Sequence, residues 1–167
     1  MLNLETVKSD IERWITDFVE VKNPALGGWP PCPYARKARL EKDYDVRIGH
    51  DLGNDLADLS HTGITKSVVV LAYDAGRYTV TQFNKTIDEL NEQFLVRHDL
   101  LALADHPGDP EIVNGVSMNQ GTYALALVQN LSDLNIKAKA MADKGFYNSW
   151  PEEYLTMLFR HREDPRK

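Results

Sequence analysis

Histidines and carboxylates recur in this chain just past its apolar runs. His50 and Asp51 follow Val46-Arg47-Ile48. Asp74 follows Ser67–Tyr73, with Arg77 beyond it, and Asp105 and His106 follow Leu100–Ala104, with Asp109 and Glu111 next. In parallel α/β sheets, ligands sit beyond the carboxyl ends of the strands. Imidazoles and carboxylates converging there suit acid–base chemistry or a divalent metal. His106 and Asp74 are the expected acid–base residues. Pro107 biases His106 toward extended backbone, and an unperturbed imidazole titrates at ~6.5, where proton transfer near neutral pH is efficient. If the site holds a metal, His50, His106 and Asp105 are its expected ligands. The competing reading is turn chemistry, which also places Asp and His at strand ends.

A second group is Cys32-Pro33-Tyr34-Ala35-Arg36-Lys37-Ala38-Arg39. A cysteine opening a helix lies in the positive end of the helix dipole, and Arg36 and Lys37 add positive charge nearby. Both effects favour the thiolate, which makes Cys32 a candidate nucleophile. The same geometry suits an anionic substrate group, with Arg36 and Arg39 as its contacts. The alternative is a small buried cysteine beside a solvated basic face. Cys-Pro-Tyr resembles the redox motif of glutaredoxins, but Ala35 stands where their second cysteine would be, so a dithiol cycle is excluded. Asp51, Asp55, Asp58 and His61 share one helical face and read as a solvated stripe. His98 and His161 read as surface residues. No P-loop, dinucleotide fingerprint, HExxH or serine-elbow motif is present.

The elements that must position these groups follow from periodicity. Leu4, Val7, Ile11, Trp14 and Phe18 predict an amphipathic N-terminal helix. Pro24, Gly27, Gly28, Pro30 and Pro31 break it, with Trp29 among them, and Ala35–Lys42 resumes as a short helix. Leu52, Leu56 and Leu59 predict a helix over Asp51–Ser60. Val80, Phe83, Ile87, Leu90 and Phe94 predict one over Thr79–Arg97, opened by a Thr79–Gln82 capping box. Ser67–Tyr73 is a β-branched run suited to a strand buried on both faces. Val46–Ile48, Leu100–Ala104 and Tyr123–Val128 complete the strands. Ser132–Lys144 predicts a helix ended by Gly145. Ser149 with Glu152 caps a last helix through Tyr154, Leu155 and Leu158, and the charged tail from Arg160 to Lys167 is expected to be solvated.

The predicted fold is therefore α/β (or α+β): one domain over residues 1–167, with one sheet of about four strands, largely parallel, flanking helices and an N-terminal helix. The chain is 167 residues long with 43% apolar and 26% charged residues, ordinary for one globular domain. A net charge of −6 argues against nucleic acid as the main partner. No secretory signal or membrane-length apolar run is visible, and the single cysteine forms no internal disulfide, so a soluble cytoplasmic protein without a membrane partner is expected.

Trp14, Cys32-Pro33-Tyr34-Ala35, His106-Pro107, and Asn119-Gln120 before Tyr123 together resemble a bacterial domain-of-unknown-function family. Its members carry a Trp-containing helix, a Cys-Pro-Phe-Ala motif, a strand ending in His-Pro and an Asn-Arg motif. The likeness covers Ile11 to about Val128. Gln120 departs from the family's arginine, and the Gly27-Gly28-Trp29 loop differs as well. The resemblance implies no activity, but it groups Cys32, Arg36, His106 and Asn119 as one site. The expected function is an enzyme acting on an anionic small molecule, with Asn119 orienting the substrate; homo-oligomerisation is left open. The alternative is a non-catalytic binding or regulatory protein that uses the Trp29 loop as its partner surface.

Overall fold

The β-branched run Val68–Asp74 forms the central strand β2 of a computed structural model that describes residues 1–167. It pairs with β1 (Tyr44–Ile48) on one side and β6 (Tyr123–Asn130) on the other, and β3 (Leu100–Asp105) lies beyond β6, giving the order β1-β2-β6-β3. Only β1 and β2 pair in parallel; β6 runs antiparallel to both β2 and β3. The sheet is therefore mixed, and the fold α+β, where a largely parallel sheet was expected. The cause is the connection from β3 to β6. A parallel return needs a crossover of a dozen or more residues, usually a helix. Residues 106–122 carry Pro107, Gly108 and Pro110 and form instead a small hairpin of β4 (Ile112–Val113) and β5 (Val116–Ser117). Its turn is Asn114-Gly115, both at positive φ (52° and 82°), a hairpin signal present in the sequence but not read there. Because β1, β2 and β3 still point the same way, their carboxyl ends do share one edge, together with the start of β6.

Alternation along the strands separates two faces. Val69, Leu71, Tyr73, Ala102, Ala124, Ala126 and Val128 bury against Leu52, Leu56 and Leu59 of α3 (Leu52–Thr62) and Phe83 and Ile87 of α4 (Val80–Leu90). The predicted Thr79–Gln82 capping box opens α4. The same rod continues as a π-turn over Asn91–Leu95 and a 3-10 turn over Val96–His98. The buried Asn91 side chain there pairs with both backbone groups of Ala102 at 2.9 Å. It blunts the free edge of β3 as an added strand would.

On the opposite face, Val7 and Ile11 of α1 (Leu4–Trp14) cover Val46, Val70, Ala72, Tyr123 and Leu125. A separate cluster joins Leu26, Val113, Ala138 of α5 (Leu131–Asp143), Phe146, Tyr147, Trp150, Leu155 of α6 (Glu152–Leu158) and Phe159. Asn114 ties it together by donating to the carbonyls of Ala25 (3.0 Å) and Ser149 (2.7 Å). The expected Ser149 cap is absent, because Pro151 occupies the cap position of α6. The tail is not a free solvated segment. Arg166 pairs with Glu152 and Asp164, and Arg162 and Arg166 both lie over the Phe159 ring. No helix is long and apolar enough to cross a membrane.

Candidate functional site

The face of the sheet that α1 covers is only half covered by it. Leu103 and Leu127, farther toward β3, remain part-exposed. They form, with Val68, Val70 and Leu101, the floor of a cavity of about 900 Å³. Its walls are Trp14 and Phe18, the 31–38 segment, one side of α5, and the chain from Phe146 to Arg162. That volume suits a small organic ligand, and an apolar floor is usual in such a site; the walls add charged groups of both signs.

One part of the wall is cationic. Arg162 enters the cavity lining, its Nε wholly buried without a hydrogen-bond partner. No carboxylate lies within ion-pair distance of its guanidinium, which rests 4.9 Å from the centre of the Phe159 ring. Burial pulls its pKa down, and the neighbouring Tyr147 opposes that only in part. Lys137 of α5 also lines the cavity, but it is paired with Asp133 at 2.8 Å and sits 5.1 Å over the Tyr34 ring. The indole N–H groups of Trp14 and Trp150, two more lining residues, have no acceptor.

Cys32 is exposed as a residue and lines the edge of this cavity, with its sulfur turned toward the protein. The backbone N–H groups of Tyr34 and Ala35 lie on its side and favour the thiolate, the Ala35 N–H donating to the Cys32 carbonyl at 3.2 Å, yet burial of the sulfur outweighs them and pushes the thiol pKa up. The direction of that shift runs against an activated thiolate at a helix start. The helix α2 begins at Ala35 and runs only to Leu40, too short to build a substantial dipole. Small neutral thiosulfonates should label Cys32 in the native protein at pH 7, roughly tenfold or more slowly than after denaturation. Labelling at the denatured rate, followed by mass spectrometry, would mean the sulfur faces open water.

The carboxylates gather at another part of the wall, beyond the end of β3. Asp105 is buried, 6% exposed, and faces the cavity. Asn119 Nδ2 donates to its Oδ1 at 2.8 Å and the Gln120 N–H to its Oδ2 at 3.0 Å. Burial still raises its pKa. Glu111, also lining the cavity, receives one hydrogen bond, from Tyr154 Oη to Oε2 at 3.1 Å. Burial first, and then the charge of Asp105, push the Glu111 carboxyl up to about 7.

The other expected site residues disperse. His106 is buried on the α4 side, edge-on to Phe83 at 5.6 Å. Its Nδ1 accepts the Gly108 N–H at 3.0 Å, which leaves the proton on Nε2, donated to the carbonyls of Tyr78 (2.9 Å) and Ala75 (3.2 Å). Both ring nitrogens are thus occupied by backbone, and the residue closes a turn. Asn119 is equally committed: Asp105, the carbonyls of His106 and Asp109, and the Glu111 N–H use its amide. Arg39 is held by a two-point bridge to Glu20, both contacts 2.7 Å, while Arg36 points outward. His50, Asp74 and Arg77 line one separate hollow at the β1–β2 edge, with no ion pair among them. His50, His106 and Asp105 therefore face three different environments, and no three His, Cys, Asp or Glu side chains converge on a metal-sized point. Trp29 packs edge-on against Phe146 at 5.8 Å as part of the C-terminal cluster.

The groups that sequence reasoning missed are Arg162 and Tyr154; Glu111 stood among the strand-end carboxylates but was given no role. The available signal was the aromatic density of residues 146–159. Charge alone marks the tail as solvated, but those rings draw it onto the body of the protein. Compared with known proteins, the chain matches no family model, no curated protein and no solved structure.

Proposed function

We propose that this chain is a cytoplasmic enzyme acting on a small anion with an apolar body, held in the cavity over the α1 side of the sheet. The observation that carries this reading is Arg162, a part-buried guanidinium lining the cavity, its Nε buried without a hydrogen-bond partner and with no ion pair of its own. A part-buried charge without an ion pair has lost some of its hydration, and a ligand anion would offset that loss. The leucines and valines of the floor suit the apolar remainder of the ligand. Glu111 supplies a carboxyl poised near neutral pH, as acid–base chemistry requires. The order of Trp14, Cys-Pro-Tyr-Ala and His-Pro motifs supports kinship with the Cys-Pro-Phe-Ala family, with the anion contact moved from Arg36 and Arg39 to Arg162. The alternative reading is a non-catalytic binding or regulatory protein that uses the Trp29 loop, whose ring packs edge-on against Phe146, as its partner surface.

Isothermal titration with 1-octanesulfonate tests the reading. Its head group stays ionised near neutral pH and its chain fits an apolar floor. Arg162→Gln is expected to weaken binding roughly tenfold to a hundredfold, the worth of a charge-assisted hydrogen bond. The same change should leave the melting temperature of the free protein unchanged or raised, since it removes a part-buried charge that has no ion pair. No binding to the wild type, or equal binding to both proteins, would sink the proposal.

A further inference from the structure

The cavity that presents Arg162 also presents a carboxyl with no ion pair of its own. Glu111 lies between groups contributed by several elements. Asp105 comes from the end of β3, Asp109 from the loop before the β4–β5 hairpin, and Tyr154 from α6. Arg160 acts on Glu111 from beyond α6, but its guanidinium is already bound to Asp88 of α4 at 2.6 Å. The two N–H donors on Asp105 favour its charged form, so that of the neighbouring pair Glu111 is the better place for a proton. Its only donor is the phenol of Tyr154.

We infer that Glu111 is the proton-exchanging group of this cavity, taking up a proton from solvent when an apolar anion enters and returning it when the anion leaves. The inference rests on the cavity being the ligand site, as proposed above. Two effects of the ligand act on Glu111 in one direction. Added negative charge disfavours a second anion nearby, and the apolar chain displaces the water that solvates the carboxylate. The proton goes onto a carboxylate oxygen of Glu111, and no electron transfer or further reactant is involved. Tyr154 and Asp105 are positioning residues: the first donates to the carboxyl, and the second supplies the charge that keeps it near its titration midpoint. A group in that state is equipped to pass a proton to or from the bound molecule.

The test is calorimetric titration of 1-octanesulfonate at pH 7.5 in buffers of different ionisation enthalpy, which reads protons exchanged per ligand bound. With Glu111 titrating at about 7 when free and about a unit higher when the cavity is filled, uptake should be about half a proton per ligand. Glu111→Gln keeps an acceptor for Tyr154 and should still bind, with uptake near zero. Tyr154→Phe removes a donor that stabilises the carboxylate, so the pH of greatest uptake should move upward. Binding without proton uptake in the wild type, or undiminished uptake in Glu111→Gln, overturns this inference and leaves the Arg162 reading standing. An unmoved pH profile in Tyr154→Phe overturns the part given to Tyr154. Absence of octanesulfonate binding removes both readings.

Discussion

Gly49→Ala is expected to destabilise the fold by about 3–5 kcal/mol, although it adds one methyl group and demands no unusual backbone angle. Gly49 is buried at the end of β1, where its N–H donates to the Ala72 carbonyl at 2.9 Å. A Cβ there would lie 2.1 Å from Tyr73 Cε1 and 2.2 Å from Cζ. The ring has little freedom to retreat. Tyr73 is 1% exposed, edge-on to Tyr78 and Phe83, and its hydroxyl donates to Asp55 at 2.7 Å. The same Asp55 oxygen accepts the N–H groups of His50 (2.9 Å) and Asp51 (3.2 Å), so moving the ring also loosens the start of α3. The cost therefore joins overpacking to a lost charge-assisted hydrogen bond. Gly53→Ala in α3 is the control, since its Cβ would meet nothing within 4 Å and alanine is the better helix former; it should gain up to about 1 kcal/mol. Urea unfolding of the two variants checks the pair. A Gly49→Ala protein as stable as wild type would show that Tyr73 is not locked in place.

Glu111→Gln is expected to stabilise the protein by about 2–3 kcal/mol at pH 8 and to change it little at pH 5. The folded carboxyl titrates at about 7 against an ordinary 4.5. Between these values the folded state binds more protons than the unfolded chain. Stability from this group is full below pH 4.5 and is lost as pH rises through about 7, above which the loss is constant. Glutamine preserves the shape and cannot ionise, so the variant lacks the alkaline loss. Asp105, also shifted upward by burial, adds to the same limb. The acid limb has other owners. Asp43, bonded by Ser67, and Asp99, bonded by Ser132 and Asn130, are held below the usual carboxylate range, and their stability is lost as pH falls through their folded pKa values. Urea unfolding at pH 5 and pH 8 measures the difference. Equal effects at both pH values would mean that Glu111 is ionised throughout and solvated.

Local pattern made most elements legible. The Leu52-Leu56-Leu59 and Phe83-Ile87 stripes, the Thr79–Gln82 capping box and the β-branched Val68–Tyr73 run each satisfy their own geometry within a few residues. The helices and strands therefore stand close to where periodicity places them. The gathering of the β1, β2 and β3 carboxyl ends at one edge also followed from local signals, because α3 and α4 are crossover helices of adequate length.

The tertiary structure decided the rest, and for one physical reason: whether a polar group is free or occupied depends on partners distant in the chain. His106 looks available beside Pro107, but the carbonyls of Ala75 and Tyr78, some thirty positions earlier, use its Nε2. Arg39 looks free within its basic run and is taken by Glu20. Arg162 looks solvated in a charged tail and is instead folded onto Phe159, beside Tyr147. The antiparallel insertion of β6 likewise depended on how the 106–122 segment turns back. That insertion carries the chain directly into α5 and leaves Leu103 and Leu127 as an uncovered floor. The sequence by itself determined which segments are helix and strand and which edge they share. The cavity, its unpaired arginine and its raised carboxyl exist only because the C-terminal aromatics close over the far half of the sheet.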